Sequence, residues 1–163
     1  MKDKRVEFLV KAAVIAAVYV VLTLVFAPIS FGQSGIDVRI AEALTVLPMF
    51  TAAAVPGLAV GCVIANLLGG GVIWDVIFGS CATLIGAVIA RRLRANRWLV
   101  PIPAVAANTV IVPLVLRYGY GVNLPLPMLM LSVGVGELLS AYVLGQVLIT
   151  VLLPRRKDIF KED

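Results

Sequence analysis

The chain has 163 residues, 61% of them hydrophobic and only 14% charged, with a mean hydropathy of +1.06. Soluble domains carry roughly a quarter charged residues, so this composition excludes a soluble fold and predicts a single integral membrane domain over residues 1–163. The absence of histidine removes the commonest general base, metal ligand and triad chemistry together, and the net charge of +5, placed mostly at helix ends, argues membrane orientation rather than nucleic-acid binding.

The basic start MKDKRVEFLVK enters an apolar run longer than a signal-peptide core, with no small-residue cleavage site closing it. It reads as a retained first helix spanning Ala12–Ile29 and closed by Pro28. Ala12 with Ala16, and Ala13 with Ala17, make two small-residue strips where another helix backbone can approach. Packing inside the chain and contact with a partner are both open for them. A polar loop, Ser30–Gly35, follows.

Residues 36–68 carry three charges, all near the start. One straight helix of that length would run about 50 Å, too long for one crossing. Pro48 and Pro56 bracket a possible turn, so two short helices are predicted, the second with a close-packing Gly57–Gly61 pair. After Gly69–Gly71 come a fourth span, Val72–Ala90, a fifth, Leu99–Leu116, and a sixth, Pro127–Leu153. Cys62 and Cys81 fall in apolar segments and read as small core residues without a disulfide.

Charge parity tests this division. Basic clusters lie at residues 2–11, 91–97 and 155–161, and the positive-inside rule assigns all three to the cytoplasm. Each interval then holds an even number of crossings, which requires 36–68 to be two helices. The expectation is an all-α membrane protein of six transmembrane helices with both termini cytoplasmic.

That orientation places the polar residues. Asp37, Arg39 and Glu42 fall at the outer end of helix two, Asn66 in the last turn of helix three and Asp75 in the first turn of helix four. Asn108 and Glu137 fall near mid-membrane in helices five and six, and Arg117 at the outer surface. A charge at mid-bilayer costs about 2.5–3.5 kcal/mol on insertion scales and reads as functional by default. The set describes a cup opening outward, with no acid in the inner half to relay protons.

Plainer roles exist for several members. Asp37 suits an N-cap, Asp75 a dipole-favoured first turn, and Arg39 an i,i+3 pairing that holds Glu42. Asn108 could bridge helices or touch ligand. Glu137, deep in an apolar helix beside a Ser132–Gly136–Ser140 face, reads as a ligand or inter-helix group. The substrate-binding set is therefore Arg39, Glu42, Asn66, Asp75, Asn108 and Glu137, with Glu42 the leading ligand contact. Four acids against two arginines suit a cationic or donor-rich solute, and a carboxylate with carboxamides can read a guanine-like edge.

The runs RIAEALTVLPMFT, PGLAVGCVIANLLG and DVIFGSCATLIGAVIARRL, with PIPAVAANTVIVPLVL and the Gly134–Glu137 segment, resemble the QueT family over nearly the whole chain. The resemblance implies the substrate-binding (S) component of an energy-coupling factor (ECF) transporter in the plasma membrane. It would capture a queuosine precursor, such as the 7-aminomethyl 7-deazaguanine or queuine, on the outer side. The implied partners are a transmembrane coupling (T) subunit, two ATPase subunits and the membrane lipid. It also implies that Ala12, Ala13, Ala16 and Ala17 meet the coupling subunit and that Ser30–Gly35 acts as a lid. No phosphate-cradling GxxxxGK[ST] occurs, so P-loop ATP hydrolysis must come from other subunits. No cofactor or metal is expected. A stand-alone proton-coupled carrier is the alternative, and an embedded enzyme the least supported class.

Overall fold

A computed structural model describes residues 2–30 and 38–160. Helix α1 runs Lys2–Ser30. It starts a full ten residues before the predicted span, because Lys, Arg and Glu are good helix formers and Glu7 pairs with Lys11 at 2.9 Å in i,i+4 register. Its backbone also passes Pro28 and ends two residues later. Asp37 and all of the predicted lid except Ser30 lie outside the described residues.

The stretch from 36 to 68 does divide in two. Helix α2, Ile40–Met49, is of 3₁₀ type, and α3 is the α-helix Ala54–Leu68. The break falls at 50–53, between Pro48 and Pro56, where the Ala53 N–H finds the Thr51 hydroxyl at 3.3 Å. At about 2.0 Å and 1.5 Å rise per residue these helices are only about 20 Å and 22 Å long. Helix α2 is buried on every side, from Ala41 to Met49 save Ala43. It is the axis of the fold, packed against α1 and α3 and, among the helices that follow, against α4 and α6.

Helix α4 opens with a π-helical turn, Asp75–Gly79, and continues through Ser80–Arg92. Helix α5 is Ile102–Gly119, its last turn π-helical. Helix α6 is Leu126–Arg155, with a π-helical stretch at Leu138–Leu144 directly after Glu137. A short α7, Arg156–Phe160, ends the described chain. Among the described residues, α1, α5 and α6 are long and apolar enough to cross a membrane, and α2 and α3 are shorter apolar helices. The architecture is an all-α membrane protein of six principal helices.

Small residues set the helix spacing. A Cβ on Gly57 would come 2.7 Å from the Ala12 carbonyl oxygen, and one on Gly61 3.0 Å from that of Ala16. The Ala12–Ala16 strip of α1 therefore zips onto the Gly57–Gly61 strip of α3, while Ala13 and Ala17 face outward. Gly86 does the same for α4 against Ala104 of α5, with 2.9 Å to the Ala104 Cα. The two cysteines part company: Cys62 is buried as expected, but Cys81 is exposed on the outer face of α4.

The three basic segments meet at one end. Lys11 Nζ donates to the Phe160 carbonyl at 3.1 Å, and the Phe160 ring stacks on Phe50 with centroids 5.3 Å apart. Arg91 donates to the Pro48 carbonyl at 3.0 Å, and Gln146 to that of Arg97 at 2.8 Å. The inner half beneath them is an apolar core around Val46, Phe50, Leu58, Val100 and Ile149.

Candidate functional site

Because α2 is short, its first turn begins well inside the bundle rather than at its outer rim. That turn carries Glu42, only 1% exposed. Both carboxylate oxygens accept hydrogen bonds from other helices: Tyr19 Oη of α1 donates to Oε1 at 2.6 Å, and Asn108 Nδ2 of α5 donates to Oε2 at 3.3 Å. A contact of 2.6 Å lies in the range of charge-assisted O–H···O⁻ bonds. The Thr45 hydroxyl donates to the Glu42 backbone carbonyl at 2.6 Å and ties down the turn. Three helices thus converge on one carboxylate.

Arg39 makes a contact that its spacing to Glu42 does not suggest. It is the N-cap residue, with an extended backbone, φ −101° and ψ 95°, and its carbonyl accepts the Glu42 N–H at 2.9 Å. Its guanidinium reaches across to α4 and pairs with Asp75 Oδ2 at 3.7 Å. Asp75 is therefore more than a dipole-favoured first-turn residue. It is 2% exposed and held from several sides. Tyr120 Oη donates to its Oδ2 at 3.1 Å while accepting the Val72 N–H at 3.3 Å. Burial, then the Asp75 carboxylate, push the Tyr120 phenol above its ordinary value, so it keeps its proton at neutral pH. Asn66 Nδ2 donates to the Asp75 backbone carbonyl at 3.1 Å and lies 3.7 Å from Cys62 Sγ. Thr83, on the neighbouring helix, bonds the same sulfur at 3.5 Å, which makes Cys62 a packed linker rather than a reactive thiol.

Tyr19, Arg39, Asn66, Asp75 and Tyr120 line a cavity of about 60 Å³, with Thr23, Leu24 and Gly71 among its other walls. It lies toward the end opposite the basic segments, since Leu24 and Ala27 are about 20–24 Å along α1 from Lys11. The expected set is thus divided. Arg39, Asn66 and Asp75 line the cavity. Glu42 and Asn108 are bonded to each other directly behind Tyr19, which is both the cavity's inner wall and the donor to Glu42. Glu137 is 2% exposed on α6, at the start of the π-helical stretch that packs against α2, and does not line the cavity.

A much larger concavity, about 530 Å³, is walled by Trp74, Phe78, Leu114 and Tyr118. Those side chains are exposed and apolar or aromatic, as expected for a membrane-interface girdle. It carries none of the polar residues named above.

Tyr19 and Tyr120 were not singled out from the sequence. The available signal for Tyr19 was chemical: a tyrosine in the middle of an apolar span must place its hydroxyl on a partner. Comparison with curated proteins and with solved structures finds no significant match. Among protein families, one described as "QueT: QueT transporter" matches residues 9–154.

Proposed function

The chain belongs to the QueT transporter family, and from that premise we propose that it is the substrate-binding component of an ECF-type importer for a queuosine precursor. The observation that carries this reading is the buried Glu42 carboxylate, held by Tyr19 and Asn108 behind a polar cavity at the end away from the basic clusters. Those clusters belong on the cytoplasmic side of the plasma membrane, so the cavity opens outward, in a multi-pass protein with both termini inside.

A 7-deazaguanine presents adjacent N–H donors along one edge. A carboxylate that already accepts a hydroxyl and an amide proton is the acceptor such an edge requires. The substrate edge takes the place of the Tyr19 hydroxyl on Glu42, and Asn108 and Glu137 complete the inner part of the site. Ligand pockets usually span about 300–1,000 Å³, so the cavity widens on binding. Leu24, 37% exposed, is the bulky wall with open space beside it.

Calorimetric titration of the purified chain with the aminomethyl and nitrile 7-deazaguanines, queuine and guanine tests the binding claim. Binding of guanine alone, or of none, overturns it. Uptake should require co-expressed coupling and ATPase subunits. ATP-independent accumulation by this chain alone, abolished by a protonophore, would instead support a proton-coupled carrier.

Ala13 and Ala17 provide the partner-facing strip in this reading, since Ala12 and Ala16 are engaged with α3. Ala13→Leu with Ala17→Leu is expected to leave precursor binding within about twofold and to abolish uptake, because bulk on a small-residue face blocks close helix approach. If binding falls as far as uptake, the strip serves internal packing instead.

A further inference from the structure

Two buried carboxylates belong to this region with one guanidinium, Arg39: Asp75 in the cavity wall and Glu42 behind Tyr19. Glu42 accepts at both oxygens. Asp75 does not. Its Oδ2 accepts from Tyr120 and faces Arg39, whereas its Oδ1 is buried and lacks a hydrogen-bond partner among the described residues. A buried carboxylate oxygen left in that condition is unfavourable unless something else donates to it.

The surroundings keep that oxygen available. Gly79 stands one turn along α4, and a Cβ there would lie 2.7 Å from Asp75 Oδ1 and 3.4 Å from Asn66 Nδ2. Only a glycine there lets Oδ1 lie so close to the α4 backbone, and no donor among the described residues accompanies it. Asn66 and Tyr120 meanwhile fix the Asp75 backbone and its other oxygen, so the acceptor is pre-positioned, as a binding group should be. The charge count points the same way. Two acidic side chains, Glu42 and Asp75, stand against the one guanidinium of Arg39, a balance that suits a cation better than an anion.

We propose that Asp75 Oδ1 is a cation subsite, which takes the ammonium group of the substrate while the Glu42–Asn108 pair reads the flat edge of the base. This rests on the function reading above and adds a division of labour to it: Asp75 selects the charged substituent, and Glu42 holds the base whatever its substituent. The Arg39 guanidinium stays on the far oxygen and limits the affinity for the cation.

The aminomethyl and nitrile 7-deazaguanines separate the two roles, because they differ only in the substituent that carries the charge. The readout is the ratio of their dissociation constants on the purified full chain. Wild-type protein should favour the aminomethyl form by about tenfold or more, as for a close charge pair. Asp75→Asn should bring the ratio within about threefold of unity. Glu42→Gln should weaken both forms and preserve the ratio. Gly79→Ala, which retains the carboxylate but crowds Oδ1, should collapse the ratio as Asp75→Asn does, and it carries the test if the asparagine variant does not fold. A wild-type ratio near unity, or a ratio unchanged in the folded Asp75 or Gly79 variant, overturns the subsite. Wild-type protein that binds neither base overturns the function reading, and the subsite with it.

Discussion

Replacing Glu42 with Gln should weaken binding of a 7-deazaguanine by at least about tenfold, or roughly 1.4 kcal/mol, with little loss of folded protein. The fold survives because glutamine keeps the shape and can accept from Tyr19 through its carbonyl oxygen. Its new N–H₂ group then faces Asn108, whose amide can turn to offer oxygen instead of nitrogen. Both inter-helix bonds can therefore be re-formed. What cannot be replaced is the negative charge, and hydrogen bonds to a charged acceptor are about twice as strong as neutral ones. Titration at neutral pH measures the loss, and thermal unfolding in the same detergent reports whether the fold was spared. Unchanged affinity in the folded variant removes Glu42 from the site. Glu137→Gln, measured alongside, should show a loss of similar size if the second buried carboxylate of the inner region also serves the ligand.

The fold was legible where the cost of charge in lipid constrained it. Three basic clusters had to share a side, which forced residues 36–68 into two helices, and the structure brings Lys11, Arg91, Arg97 and Phe160 to one end. The break between Pro48 and Pro56 followed from the same argument. The 3₁₀ winding of α2 was not legible, since no local signal distinguishes it from an apolar α-helix. Nor was one partner of Arg39, which sits at the N-cap of that helix with an extended backbone and pairs across to Asp75.

The site was legible as a list of costly polar residues but not as a set of pairs. Asn66, Asp75, Asn108 and Glu42 were each conspicuous in an apolar background. Their partners were not, because Tyr19 and Tyr120 are ordinary membrane residues until their hydroxyls are placed. The small-residue strips show the same limit. The Ala12–Ala16 and Gly57–Gly61 spacings were both visible, yet nothing in either strip said that they would face each other.

That facing pair yields the largest expected effect on stability. Gly57→Ala should destabilise the protein even though alanine is the better helix former by roughly 0.5–1 kcal/mol. The added methyl would sit 2.7 Å from the Ala12 carbonyl oxygen, 3.1 Å from Ile15 Cβ and 3.2 Å from the Ala12 Cα. Two of these neighbours are backbone atoms, so no rotamer change relieves the clash and α1 must move away from α3. Overpacking of this kind costs about 1–3 kcal/mol, which outweighs the propensity gain. Gly134→Ala is the matched control: its methyl would meet only the Thr109 side chain, at 3.3–3.5 Å, and a side chain can adjust. Thermal unfolding of both variants in detergent should show a clear drop for Gly57→Ala and little change for Gly134→Ala. Equal melting temperatures would falsify the close α1–α3 contact. Because Tyr19 lies three residues beyond Ala16 on α1, a displaced α1 should also carry its hydroxyl off Glu42, so precursor binding should fall together with stability in the Gly57 variant and hold in the Gly134 variant.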